Sequence, residues 1–348
     1  MNCILSSMAS MNMNSELRRA VRKLDGAWDS KIKGASACLR HGERRHRTAP
    51  FVRLAKFSFL VVAATGISAV AADLKSETVR QWEDYVKAAD TRHANRLAQG
   101  AFLSSDEISG QTARLRNGEV VVTPANQNVP LKVQSGLIHD WNGAAFIPHA
   151  KLSDVLPVLR DYDRYKDYYR PGVVYAKLLA ASESKDQFSM VLMNKSVIAK
   201  TALDADYQTV YTQINDHRLY SVTDATRIRE IAEYDTPSQH MLPENQGMGL
   251  IWRVHSITHF EERDGGVYIE TEAIALSRDI PTMLRWVVEP IVRRVSRSSL
   301  ATSLQQTEAA VRSRSTETVG SNGRLPDPGT SRMSVTATST SSMTGPLR

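Results

Sequence analysis

Residues 252–281 read WRVHSITHFEERDGGVYIETEAIALSRDIP. Two runs rich in β-branched and aromatic residues, each alternating in polarity, flank Asp264-Gly265, a dipeptide that favours a two-residue hairpin turn. Such a turn sets Arg263 opposite Gly266, and every pair further out then sums to 529. Successive side chains on a strand point to opposite faces, so this register sorts the hairpin. One face collects Trp252, Val254, Ser256, Thr258 and Phe260 with Ile269, Thr271, Ala273 and Ala275. The other collects Arg253, His255, Ile257, His259 and Glu261 with Tyr268, Glu270, Glu272, Ile274 and Leu276. The first face has bulk at its ends and small groups between, as a cavity wall does, and Trp252, Val254, Phe260, Thr271, Ala273 and Ala275 are the expected ligand-binding residues. The same small groups would equally seat a helix close against the sheet. On the second face His259 lies opposite Glu270. A carboxylate there would orient an imidazole base, but the expectation is a solvated cross-strand pair. His255 and His259, four residues apart on a strand, stand about 13 Å from each other and cannot share one ion.

Working outward, residues 173–182, 187–199, 205–214 and 218–233 read as further strands, separated by turn chemistry at Ser184-Lys185-Asp186 and Asn215-Asp216. Upstream, GLIHDWNGAAFIP (136–148) is a strand with a candidate turn at Asn142-Gly143, and residues 151–169 form two short helices bent at Pro157. Residues 74–98 space Trp82, Tyr85, Val86, Ala89, His93 and Leu97 as one face of an amphipathic helix, and residues 111–133 read as a hairpin about Asn117-Gly118. After the last strand, Pro281 opens a helix that runs to about Arg312, broken at Pro290 and restarted near Ser296, with Leu300, Leu304 and Val311 on one stripe. Its first part, PTMLRWVVEPIVRRV (281–295), is apolar nearly all round and must be buried or meet lipid. Met283, Trp286, Arg293 and Arg294 are the candidate gate or membrane residues, and Trp286 a candidate ligand contact.

Chemistry-bearing motifs are missing. The chain has no HExxH, GxSxG, Walker-type loop or GxGxxG, and DYDRYKDYY (161–169) lacks the glycine and glutamate of a calcium loop. No catalytic residue, metal ligand or cofactor is assigned.

The whole chain has 348 residues, 42% hydrophobic and 23% charged, with a mean hydropathy of −0.32, which excludes collagen-like, disulfide-scaffold and polytopic membrane classes. Its net charge of +7 is unevenly placed. FSFLVVAATGISAVAA (57–72), preceded by Arg53 and Lys56 and ending in small residues, has the pattern of a signal peptide cleaved after Ala71, with an uncleaved anchor as the alternative. Residues 1–56 then form an extension, non-native or disordered, and a start at Val52 or Leu54 would leave a compact signal. The segment through Ala71 holds twelve of the 44 Lys and Arg, four of the 37 Asp and Glu, and both cysteines. Residues 72–348 are close to neutral and thiol-free, so nucleic-acid binding, disulfides and thiol catalysis are not expected. Residues 315–348, rich in Ser, Thr, Gly and Pro, read as a disordered tail.

The order strand, helix pair, meander and long last helix resembles the START-like superfamily, also described as polyketide-cyclase-like, SRPBCC or coenzyme Q-binding-like. The resemblance lies in WNGAAFIPHAKLSDVLPVLRDYDRYKDYY (141–169), FSMVLMNKSVI (188–198), LYSVTDATRIREI (219–231) and YIETEAIALSRDIPTMLRWVVEPIV (268–292), and the hairpin is similar to that of uncharacterised bacterial exported members. It implies an α+β fold in which a curved antiparallel sheet wraps a long C-terminal helix, over residues 131–314, with the helix and hairpin of 72–130 as an addition. It also implies a cavity for a hydrophobic small molecule or lipid, with the start of the last helix guarding the entrance. The expected function is non-enzymatic binding or transport of such a ligand in the cell envelope. The alternatives are a cyclase-like enzyme using the same cavity and an envelope interaction module recruiting a protein through helix 74–98.

Overall fold

The computed structural model of the chain describes residues 74–127, 129–195, 200–280 and 285–322. The signal pattern at 57–71, the extension before it, Met283 and the tail beyond residue 322 lie outside the described residues.

Helix α1 (Ser76–Ala98) is followed by a 3-10 turn at Ser104–Asp106 and helix α2 (Gln111–Arg116). The expected hairpin about Asn117-Gly118 is absent. The pair instead closes α2: Gly118 adopts φ 83° and its N–H bonds the Leu115 carbonyl at 2.9 Å, the left-handed cap that glycine supplies to helices as readily as to hairpins. Short strands β1 (Val121–Pro124) and β2 (Leu131–Val133) both pair with β3 (Gly136–Pro148), which is one uninterrupted strand through Asn142-Gly143. Helix α3 (Leu152–Leu159), whose Asp154 accepts a bond from the Lys151 N–H at 2.9 Å, carries Pro157 in its interior. The chain bends after it, at Arg160 and Asp161, before a 3-10 turn (Tyr162–Arg164) and helix α4 (Tyr165–Tyr168).

Strands β4 (Val173–Ala181), β5 (Lys185–Lys195), β6 (Lys200–Asn215), β7 (Arg218–Ala232), β8 (His240–Met241), β9 (Arg253–Arg263) and β10 (Gly266–Arg278) follow, all antiparallel. The sheet order is β1-β3-β10-β9-β7-β6-β5-β4, with β2 on β3 and β8 on β7. The first long strand thus lies beside the last, and α3 and α4 carry the chain to the far edge. The β9–β10 register is the one the turn requires, from Arg263↔Gly266 to Arg253↔Leu276, with Asp264 and Gly265 both at positive φ. Helix α5 (Arg285–Asn322) continues through Pro290, where a break was expected, and ten residues past Arg312, where its end was expected.

Alternation along each strand divides the core into two sides. On the inner side α5 lays Leu300, Leu304 and Val311 against Trp141, Ala145, Phe260 and Ile269. Beside them the helix pair sits on an aromatic column in which Tyr162 stacks on Phe188 (4.2 Å, 13°) and Phe188 on Tyr207 (5.2 Å, 11°). On the outer side Trp82 and Ala89 of α1 pack on Ile138, Ile274 and Leu276, so the apolar face of that helix is occupied by its own sheet. Among the described residues no helix is long and apolar enough to cross a membrane.

Candidate functional site

The inner face of the sheet carries hydroxyls in register. Tyr211 on β6 pairs with Ser221 on β7, Ser221 with Thr258 on β9, Thr258 with Thr271 on β10, and Thr271 with Gly143 on β3. One row of positions, each about 4.8 Å from the next, therefore crosses five strands. A second pair, Thr209 and Thr223, lies alongside it. The threonines bond each other in couples, Thr209 to Thr223 at 2.7 Å and Thr258 to Thr271 at 3.0 Å. Each couple shares one hydrogen internally and keeps a second donor.

At Gly143 the row ends because α5 comes down on it: a β-carbon there would stand 2.7 Å from Leu300. Away from that contact the helix and sheet separate, and a cleft opens between the row and α5. About 550 Å³ of empty space lies among its lining side chains, mouth included, and the enclosed part is a small fraction of that. Of fifteen lining residues, ten carry hydroxyls and five, among them Leu159, Leu300 and Leu304, are apolar. Helix α5 contributes Ser303 and Thr307 as well; Thr307 donates to the Ser303 carbonyl at 3.0 Å and lies 3.1 Å from the Tyr169 hydroxyl. Burial holds the Tyr211 phenol up at a pKa of about 12, so it keeps its proton at neutral pH.

The structure brings only part of the expected ligand set to this cleft. Phe260 and Thr271 line it, joined by Thr258 and Ile269 from the same face. Val254 and Ala275 share that face but are covered by the helix pair, packing with Tyr162, Tyr165 and Tyr169. Ala273 lies in the core under α5. Trp252 is a correction. The ladder stops at Arg253, the chain leaves the sheet, and the indole joins Trp82, Ile138 and Ile274 on the opposite side. Trp286 is another: it is 70% exposed and is not among the residues that line the cleft. Of the gate residues, Arg293 pairs with Glu289 at 2.8 Å, and Arg294 is exposed. What sequence reading missed was the continuation of the row beyond the hairpin, whose signal was present as Ser221 and Thr223 at alternate positions of β7 and as Thr209 and Tyr211 on β6.

The outer face departs most from expectation. His255, His259, Glu261 and Glu270 are buried there instead of solvated, because α1 and the segment after it cover them. Glu270 stands opposite His259 in the ladder, as the register requires, but its carboxylate turns elsewhere. It accepts four bonds of 2.7–2.9 Å, from the N–H and hydroxyl groups of Ser104 and Ser105. His259 meets His93 of α1, Nε2 to Nε2 at 2.9 Å, with one ring donating to the other. Desolvation, reinforced by the charge of Arg96, depresses both pKa values, so the pair is neutral. At His255 burial disfavours the cation, but Asp224 at 2.8 Å and Asp90 at 3.2 Å outweigh it and raise the pKa. Asp140, bonded by the Tyr85 hydroxyl at 2.7 Å, is pushed up to about 7 by burial and by Glu272. This layer anchors α1. Among the described residues no cluster of three or more His, Cys, Asp and Glu could hold a metal.

No protein-family profile matches the chain, and no curated protein matches it. Several solved structures are similar to it. The STAR-related lipid transfer protein of Xanthomonas axonopodis is 17% identical over 55% of this chain and 98% of that one, with a TM-score of 0.38. Human STARD10 is 10% identical over 56% and 76%, with a TM-score of 0.36. The Zhui aromatase/cyclase of Streptomyces sp. R1128 is 10% identical over 54% and 99%, with a TM-score of 0.32. By its own element order, with first and last long strands paired and the last helix seated across the inner face, the domain is a START-like helix-grip fold.

Proposed function

We propose that the cleft binds a small, largely apolar molecule carrying polar groups, held between the hydroxyl row and α5 without covalent chemistry, in the cell envelope. The start of the last helix, where Trp286 is exposed, is proposed to meet a lipid surface. The observation that carries the binding reading is the composition of the lining: ten hydroxyl-bearing and five apolar residues around one cleft. Apolar burial at about 25 cal/mol per Å² supplies affinity, and hydroxyls, each able to donate and accept, fix orientation.

Native mass spectrometry on protein purified from its own envelope tests both parts. The expected spectrum shows a chain beginning at Ala72 with a bound small molecule, and Ser303→Phe, which fills the cleft, loses that molecule while the chain stays folded. A wild-type chain that carries nothing would count against binding, and a ligand returned chemically altered would make the protein an enzyme.

A further inference from the structure

Tyr211 is the first link of a hydrogen-bond chain whose direction is set at its far end. Asp186 on β5, fully buried and opposite Thr209 in the register, meets the Arg160 guanidinium through both oxygens: Nε to Oδ2 at 2.9 Å and Nη2 to Oδ1 at 2.6 Å. Paired in this way it is a carboxylate, which only accepts. The Tyr162 hydroxyl lies 2.9 Å from Oδ2 and therefore donates to it. A phenol has a single hydrogen, so the Tyr162 oxygen, 3.0 Å from the Tyr211 oxygen, accepts there, and the hydrogen of Tyr211 is committed to Tyr162. Little freedom exists to reverse the order. Tyr162 is clamped by its stack on Phe188, and the Arg160 guanidinium lies 5.3 Å from the Tyr211 ring centroid. Tyr165, also in the lining, likewise donates its hydrogen away from the cleft, to the Leu159 carbonyl.

We infer that Tyr211 acts in the cleft as an acceptor only, and that the site selects a ligand presenting an O–H or N–H donor to it over the carbonyl analogue of the same shape. The inference rests on the proposed binding role of the cleft and names the class of ligand it takes. A carbonyl oxygen placed against Tyr211 would face another acceptor with no hydrogen between them, and both would lose hydration without compensation.

The test uses 1-tetralol and 1-tetralone, which share the same partly saturated bicycle and differ in a hydroxyl against a carbonyl at one carbon, titrated calorimetrically into the wild-type protein, Tyr162→Phe and Tyr211→Phe, with Ser303→Phe as the blocked-cleft control. The wild type is expected to favour 1-tetralol roughly tenfold. Tyr162→Phe keeps the aromatic stack but frees the Tyr211 hydrogen, so 1-tetralone should tighten and the preference fall to about one. Tyr211→Phe should remove the preference by weakening 1-tetralol. Cleft binding without preference in the wild type, or a preference that survives Tyr162→Phe or Tyr211→Phe, overturns the inference and leaves the binding reading standing. If neither probe binds in the cleft, both fall.

Discussion

His139 on β3 is buried on the inner side, its Nε2 2.9 Å from the Ser277 hydroxyl and its Nδ1 without a hydrogen-bond partner. Burial alone lowers its pKa to about 4. The sign follows from linkage: the unfolded chain takes up a proton near pH 6.5 and the folded chain only near 4, so stability is full above about 6.5 and is lost as pH falls toward 4. His139→Gln keeps a polar partner for Ser277 but does not titrate. Its deficit against the wild type in urea unfolding should be largest at neutral pH and shrink by about 3 kcal/mol by pH 4. A deficit constant with pH would mean that His139 takes up its proton as readily in the folded chain as in the unfolded one. Single residues were the least legible part of the sequence. His259 and Glu270 alternate on β9 and β10 as solvent-facing polar residues do, but the groups that satisfy them are His93 and the Ser104-Ser105 pair, more than 160 residues away. Nothing local marks that distant partner.

At the level of elements, the contact between Gly143 and α5 decides how closely helix and sheet approach. A methyl group at this position would lie 2.7 Å from both Cγ and Cδ2 of Leu300. Gly143→Ala should therefore cost about 1–3 kcal/mol through overpacking. Leu300→Ala costs stability alone by leaving a void, but in the double variant the new methyl occupies part of that space, so the two costs should fall short of their sum by about 0.5–3 kcal/mol. Additive costs in urea unfolding would show that the helix simply rides up. Elements were legible where turn chemistry was unambiguous: Asp264-Gly265 fixed every pair of β9 and β10. They were misread where one dipeptide serves two structures, as at Asn117-Gly118, and where a proline was taken as a break. Pro157 and Pro290 both lie inside helices, each removing a single backbone bond without ending the helix.

For the whole molecule, the order of elements could be read from periodicity and turn chemistry and the grip of the last helix from the START-like resemblance, whereas the burial of both sheet faces could not be read, since it depends on α1 returning across the sheet. The same scale holds the proposed membrane contact. Trp286 is 70% exposed at the beginning of α5, with Arg293 and Arg294 two turns on. Flotation with vesicles containing phosphatidylglycerol should recover the wild-type protein, and Trp286→Ser with Arg293→Glu should leave it in the soluble fraction; equal recovery would exclude membrane contact through this helix. The pairing of β3 with β10 has a further consequence, in time. Its partners lie between 118 and 142 residues apart in sequence. At synthesis rates of about 5–20 residues per second, β3 waits roughly 6–30 s for the strand that completes its long edge. During that interval the nascent chain exposes the unmatched edge of β3 to any neighbour that can pair with it. The last strand made is the one that closes the sheet.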